Sequence, residues 1–171
     1  RQNKEKYGAN YINFWDELSF HKLNMAEDFA DAMIEADLKV HWTAAVRSDL
    51  FGRDDIPIED RRRVAEKFKA AGCLAVGYSL ESGNDGILKT MNKRVKSVYF
   101  QNQVKLLKQV GIITSTSLVI GYPEETRETI AETMEMCLQA EIYPSVGFLL
   151  PLPSTGMWTH AMEHGFIKDA D

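Results

Sequence analysis

Three features are scarce in this chain of 171 residues: cysteine, long apolar runs and excess positive charge. Only Cys73 and Cys137 occur, and their spacing matches neither a disulfide framework nor a metal site. No apolar run approaches the roughly 20 residues that cross a bilayer. The formal net charge of −5 argues against a broad nucleic-acid-binding surface. We therefore expect a cytoplasmic protein with no membrane or nucleic-acid partner.

The length fits one domain with a sizeable core, and we expect residues 1–171 to form it. The polar start resembles neither a signal peptide nor a transit peptide. Both cysteines lie among apolar neighbours, where a free thiol commonly behaves as a small core side chain. A reducing compartment suits such thiols.

Strand-like and helix-like segments alternate along the chain. The strand signals lie at 11–15, 39–46, 73–80, 112–120 and 145–150. Helical spacing marks a helix capped by Asn24, with Glu27 completing a capping box. Further helices are predicted at 59–71, in a short segment through Met91, and at 97–110, 126–140 and 155–164. Alternation of this kind predicts an α/β fold with a parallel sheet.

Polar residues follow the strands, at the edge where parallel sheets bind their ligands. Periodicity alone leaves two architectures open, a doubly wound sheet and a full or partial barrel. Each offers the same carboxyl-terminal edge for a site. The chain has no Gly-x-Gly-x-x-Gly fingerprint of the dinucleotide-binding kind.

Five stretches, in this order and at these distances, together resemble the radical S-adenosylmethionine (SAM) superfamily. They are Ile12-Asn-Phe-Trp-Asp-Glu-Leu-Ser-Phe20, Trp42-Thr-Ala-Ala-Val-Arg47, Gly77-Tyr-Ser-Leu-Glu-Ser-Gly83, Leu118-Val-Ile-Gly-Tyr-Pro-Glu-Glu-Thr126 and Pro151-Leu-Pro-Ser-Thr-Gly156. The style is that of the cobalamin-associated branch, which includes anaerobic magnesium-protoporphyrin monomethyl ester cyclases. The resemblance implies a partial TIM-type (β/α) barrel lacking its first strand, with a parallel sheet and helices on its outer face.

The family's cluster signature, Cys-x3-Cys-x2-Cys, is absent from this sequence. The resemblance therefore implies a core fragment, spanning the second to sixth β/α units, that is inactive alone. The whole protein would reductively cleave SAM with a [4Fe–4S] cluster, and the resulting 5′-deoxyadenosyl radical would abstract a hydrogen from a small-molecule substrate. Another domain could supply cobalamin. Without the first strand, the edge at Tyr11–Trp15 would have unpaired backbone groups. We expect this edge to be covered by the N-terminal residues, to pair with another copy of the fragment in self-association, or to be poorly ordered.

The resemblance also assigns site residues, each with an ordinary structural alternative. Asp16 and Glu17 match the position that binds the SAM amino group, although solvated loop acids would look the same. Glu81 and Ser82 match the position at the ribose hydroxyls, where a turn or capping role is the alternative for Ser82.

The remaining assignments concern adenine and the SAM carboxylate. Val119 and Gly121 overlay a stretch that packs on adenine, and Leu149 and Leu150 fall on the strand beside it. We expect Glu124 to support the loop after Gly121. Arg47, with Lys93 or Arg94, is expected near the SAM carboxylate, and surface ion pairs are the alternative for these cations. His160 and His164 are expected on a solvated helix face rather than in a zinc site.

A non-catalytic α/β domain that binds a small molecule or nucleotide is the rival hypothesis. It explains acids at strand ends without a cluster. It does not explain why the Gly-Tyr-Ser-Leu-Glu-Ser-Gly and Gly-Tyr-Pro-Glu-Glu-Thr stretches occur together at these distances.

Overall fold

A computed structural model describes residues 1–168 of the chain. The strands are β1 (Tyr11–Asn13), β2 (His41–Ala45), β3 (Cys73–Glu81), β4 (Ile113–Ile120) and β5 (Pro144–Phe148). The helices are α1 (Gln2–Tyr7), α2 (Leu23–Ala36), α3 (Ile58–Ala70), α4 (Asp85–Thr90), α5 (Ser97–Gln109), α6 (Arg127–Gln139) and α7 (Gly156–Glu163). No helix of this described part is long and apolar enough to span a membrane.

The strands form one parallel sheet in the order β1-β2-β3-β4-β5. Each strand pairs with the next strand along the chain, and helices cover the outer face of the curved sheet. A doubly wound sheet would reverse its order at a switch point, and this one does not. The α/β partial TIM-type barrel expected from the sequence is confirmed as a half-barrel of five strands.

The outer, convex face of the sheet carries the core. Trp42 at its centre is fully buried, and its indole N–H donates to the carbonyl of Ala71 at 2.9 Å. The rings of Phe29 on α2 and Phe68 on α3 lie 5.2 and 5.0 Å from it, centroid to centroid, in edge-on arrangements. Apolar residues alternate along β2 and β3 so that every second side chain reaches this core. The convex face is therefore packed.

The inner, concave face carries small and polar side chains instead. They are Tyr11, Asn13, Thr43, Ala45, Ala75, Gly77, Ser79, Ser115, Ser117 and Ser145. The hydroxyl of Thr43 bonds the phenol of Tyr11 at 2.7 Å and the amide oxygen of Asn13 at 2.8 Å. Bulky branched side chains usually fill such a barrel. Here small ones leave it open.

The expected capping box at the start of α2 is wrong. The helix begins at Leu23, Lys22 is its N-cap, and no side chain bonds the cap. Because the helix starts before Asn24, that residue is already inside it. Glu27 instead forms ion pairs with Arg63 and Lys67 of α3, which tie the two helices together.

The N-terminal segment forms a helix that sits at the opposite end of the sheet from the strand ends carrying the predicted site. Lys4 of α1 donates to the carbonyls of Leu38 and Lys39, in the loop that leads to β2. Tyr11 on the edge strand β1 is 49% exposed. Self-association through this edge remains a prediction.

Candidate functional site

A cavity of about 680 Å³ opens at the carboxyl ends of β2 and β3 and beside the middle of β4. Five side chains that the sequence predicts as candidates line it: Glu17, Arg47, Glu81, Lys93 and Arg94. They come from the ends of three different strands and from the segment after α4. The floor of the cavity is the part of the concave face that carries small and hydroxyl-bearing side chains. The sheet therefore brings residues distant in sequence to one charged, open chamber.

Glu81 reaches the cavity through an unusual turn at the end of β3. Its backbone lies in the left-handed region, with φ 67°, and the Ser82 amide donates to the Leu80 carbonyl at 2.9 Å. A hydrogen bond between residues two apart around a positive φ defines a rare, strained γ-turn. The register between β3 and β4 also shifts here. Strained backbone at such a place is a physical mark of a functional site.

The carboxylate of Glu81 is held by a cation. Lys93 donates to it at 2.9 Å, and the Glu81 side chain is only 15% exposed, against 45% for Lys93. Asn92, in the left-handed conformation after α4, turns the chain so that Lys93 points back to β3. The pair leaves the second carboxylate oxygen of Glu81 available to a ligand.

The two residues after Glu81 anchor this turn to α6. Ser82 is fully buried, and its hydroxyl lies 3.3 Å from that of Thr133. The amide of Gly83 donates to the same Thr133 hydroxyl at 2.8 Å, and a Cβ on Gly83 would approach the Thr133 Cα to 2.8 Å. Ser82 therefore faces the helix rather than the cavity.

Arg47 follows β2 and lines the cavity, and its Nη2 donates to the carbonyl of Arg94 at 3.4 Å. It forms a two-point ion pair with Asp49, with 2.6 Å from Nε to Oδ1 and 3.0 Å from Nη2 to Oδ2. Nothing in the sequence patterns singled out Asp49. A buried carboxylate two residues beyond a cation would have been the signal, but burial cannot be read from one sequence.

The two acids after β1 lie in adjoining chambers. Glu17 lines the main cavity, whereas Asp16 lines a hollow of about 440 Å³ beside it. The two chambers share Ala45, Gly77 and Ser115 as a common wall. All three residues are small, so this wall carries little side-chain bulk.

The turn after β4 is supported by Glu125, so the assignment of this role to Glu124 is wrong. The Glu125 carboxylate accepts hydrogen bonds from the backbone amides of Gly121 at 2.6 Å and Tyr122 at 3.0 Å, whereas Glu124 is exposed. Gly121 has φ 116°, a conformation that only glycine adopts readily. Val119 continues the concave face two residues earlier, opposite Gly147 of β5.

Leu149 and Leu150, which follow β5, have different surroundings. Leu149 packs beside Gly121 and, with residues of α7, lines an apolar cavity of about 510 Å³. Leu150 is 70% exposed. His160 and His164 border that apolar cavity, with ring centroids 4.0 Å apart. Among residues 1–168, no three histidine, cysteine or acidic side chains converge as metal ligands would.

The family model for the radical SAM superfamily matches residues 4–137, which include the strands that form the cavity floor. This match covers well over half of the chain. The chain belongs to the radical SAM superfamily.

Among curated relatives of this radical SAM chain are proteins of archaea and bacteria. An uncharacterized methyltransferase of Pyrococcus horikoshii is 27% identical over 163 residues, which are 95% of this chain and 34% of that protein. The anaerobic magnesium-protoporphyrin IX monomethyl ester cyclase of Rubrivivax gelatinosus is 28% identical over 121 residues, which are 71% of this chain and 20% of that protein.

Solved structures share the fold. The radical SAM methyltransferase TsrM of Kitasatospora setae, with cobalamin and a [4Fe–4S] cluster bound, aligns with a TM-score of 0.72 at 15% identity, over 95% of this chain and 32% of that one. The cobalamin-dependent radical SAM enzyme OxsB aligns with a TM-score of 0.69 at 16% identity, over 80% of this chain and 20% of that one. This radical SAM chain thus spans a fifth to a third of these relatives' length.

The two cysteines of this radical SAM chain do not fit an iron–sulfur cluster. Both are buried in the core, at 0% exposure for Cys73 and 2% for Cys137. Burial raises the pKa of the Cys73 thiol to about 12 and raises the pKa of Cys137 as well. Clusters require thiolates. These two thiols are therefore core side chains.

Proposed function

We propose that the charged cavity binds SAM and that the chain serves as the SAM-holding part of a radical SAM enzyme. The observation that carries this proposal is the Glu81 turn. A strained backbone, a register shift and two anchoring contacts to α6 all serve to present one carboxylate to the cavity. A turn built only to connect β3 to α4 would need none of these costly features.

The charges around the cavity suit the parts of SAM. In this proposal Glu81 accepts hydrogen bonds from the ribose hydroxyls, and Glu17, with Asp16 at the adjoining hollow, accepts from the ammonium group. Arg47, which lines the same cavity, would receive the carboxylate. Charge-assisted hydrogen bonds of these kinds are roughly twice as strong as neutral ones.

The adenine would lie toward the end of β4. Val119 would supply an apolar contact on the concave face, and Gly121, with φ 116°, would turn the chain beside the ring. Both residues lie beyond the lining of the main cavity, so the adenine would extend past it. In the proposal Ser82 acts through the anchored turn rather than by touching SAM. Leu150, at 70% exposure, would contact adenine only with further protein or ligand packed against it.

Bound SAM supplies radical chemistry when a reduced [4Fe–4S] cluster cleaves it, as the family implies. Because the thiols of this chain do not fit a cluster, we propose that other residues of the whole protein hold it and that this chain alone is inactive. Cobalamin is a further candidate cofactor, since TsrM and OxsB contain it in their structures. Methyl transfer and ring cyclisation are the candidate reactions that the named relatives suggest.

The test is SAM binding to this chain, followed by NMR titration because binding is expected to be weak. Glu81→Gln should weaken binding about tenfold or more, since a hydrogen bond to a charged group contributes about 1.5–3 kcal/mol. Glu124→Gln is the matched control: the same chemical change on an exposed carboxylate outside the cavity. Equal affinity of Glu81→Gln and wild type would overturn the ribose assignment, and no binding by wild type would overturn the site itself.

A further inference from the structure

Asp49 is the acidic partner of Arg47 but lies behind it, away from the cavity. Its carboxylate is 2% exposed, whereas the Arg47 side chain keeps 34% exposure on the cavity side. A carboxylate this deeply buried must be paired, because an isolated buried charge is very costly. Arg47 meets that requirement with a hydrogen bond from Nη2 to Oδ2 and an ion-pair contact from Nε to Oδ1.

The loop that carries both residues is fixed to α5. The fully buried amide of Gln103 donates to the Arg47 carbonyl at 3.2 Å and accepts from the Phe51 amide at 2.8 Å. Next to Phe51 in the same loop, a Cβ on Gly52 would lie 1.7 Å from the Tyr99 carbonyl oxygen. The loop backbone therefore touches α5 with no room to shift.

We infer that Asp49 is a positioning residue: it holds the Arg47 guanidinium over the cavity so that its remaining N–H groups meet the carboxylate of the ligand. This inference rests on the proposed function. Arginine has five N–H donors. Nη2 donates to Asp49 and to the Arg94 carbonyl, and Nε faces Asp49, which leaves the two N–H groups of Nη1 for a ligand. A guanidinium already held in place loses less side-chain freedom when a ligand binds.

The pairing also sets the charge of the cavity. Arg47 is balanced by Asp49, and Lys93 is balanced by Glu81. A ligand whose own charges nearly cancel, such as the amino-acid end of SAM, meets little net repulsion there. An unpaired Arg47 would instead extend into solvent as a flexible side chain.

The chain offers a matched control on the same loop. Arg53 and Asp55 repeat the Arg-x-Asp spacing and form a two-point pair at 2.9 and 2.6 Å. They are exposed, at 39% and 56%, and neither lines the main cavity. Asp55→Asn therefore removes the same kind of ion pair without touching the proposed site.

The experiment compares two ligands by NMR titration of this chain: SAM, and decarboxylated SAM, which keeps the ammonium and sulfonium groups but lacks the carboxylate. Asp49→Asn should raise the dissociation constant for SAM about three- to tenfold, the equivalent of ordering one flexible side chain. It should leave decarboxylated SAM unchanged. Asp55→Asn should change neither affinity.

A merely structural role for Asp49 predicts a different result, namely equal losses for both ligands, and that result would overturn the inference. If Asp49→Asn fails to fold, Asp49→Glu keeps the charge but shifts the guanidinium, and the same selective loss is expected. An unchanged ratio of the two affinities in Asp49→Glu would also overturn it. If the wild type binds neither ligand, the proposed function fails instead.

Discussion

The two faces of the sheet are built from the same five strands but by opposite rules. On the convex face Trp42, Val76, Tyr78 and Leu80 are buried, and helices pack against them. On the concave face serine, threonine, glycine and alanine leave two adjoining chambers open. Because strand side chains alternate, each strand must satisfy both rules at once. One face supplies stability and the other supplies room for a ligand.

The difference is sharpest between neighbours in the chain. Trp42 and Thr43 are adjacent, yet one is at the centre of the aromatic core and the other carries a hydroxyl network beside the cavity. The comparison predicts that substitutions on the convex side cost stability, whereas those on the concave side cost ligand affinity and little stability.

The largest effect should come from Trp42→Ala. The fully buried indole contacts the rings of Phe29 and Phe68 and donates a hydrogen bond to Ala71, and all three contacts are lost. We expect the free energy of unfolding to fall by about 3–5 kcal/mol, as for other large-to-small core changes. Urea denaturation followed by circular dichroism measures it.

Thr43→Ala is the neighbouring control on the concave face. It removes hydrogen bonds to Tyr11 and Asn13 that lie at an exposed position, so its cost should stay near about 1 kcal/mol. Equal losses for the two variants would show that the concave face contributes to stability as much as the core does.

A smaller loss of stability should distinguish the alanine variants of two glycines, Gly77 inside β3 and Gly83 just after it. A Cβ on Gly83 would lie 2.8 Å from the Cα of Thr133, which is backbone of α6 and cannot yield easily. We expect Gly83→Ala to lower the free energy of unfolding by about 1–3 kcal/mol. On Gly77 the nearest atom is the flexible Ser115 hydroxyl at 3.3 Å, so Gly77→Ala should cost less.

Thermal unfolding of the two glycine variants makes the comparison, and SAM titration completes it. Gly77 lies in the wall shared by the two chambers, so its alanine variant should alter ligand binding more than it alters stability. A Gly77→Ala variant that is less stable than Gly83→Ala would contradict the open character of the concave face.

Much of the fold follows from local patterns in the sequence. The near-continuous apolar run of β3 and the helical spacing of α3 and α5 predicted elements whose bounds in the structure differ by at most one residue. The start of α2 could not be predicted in this way. Asn24 and Glu27 match a capping pattern, but Glu27 forms ion pairs with α3 instead. Tertiary contacts decide such ends, and one sequence does not display them.

The candidate site was predictable as a set of strand ends but not as a set of contacts. Glu17, Arg47 and Glu81 follow different strands, and a parallel sheet brings such ends together. The roles of Asp49, Gln103 and Glu125 depend on burial and on the direction of a side chain. Adjacent Glu124 and Glu125 look alike in sequence, and only the turn geometry distinguishes them.

The smallest effect, and the most diagnostic one, concerns the backbone of Glu81. Glycine in a strand ordinarily lowers stability by about 0.5–1 kcal/mol, because it gains freedom in the unfolded chain. Glu81, however, holds a positive φ of 67°, which glycine adopts without strain and which costs other residues about 1–3 kcal/mol. Glu81→Gln keeps the strain and removes the carboxylate charge, so it is the matched reference. We expect Glu81→Gly to be at least as stable as Glu81→Gln in urea denaturation, although both lose SAM affinity. A glycine variant less stable than the glutamine variant by 1 kcal/mol or more would mean that the turn stores no strain. The positive φ would then be an ordinary feature of the strand end. The fold would give up no stability to aim the Glu81 carboxylate into the cavity.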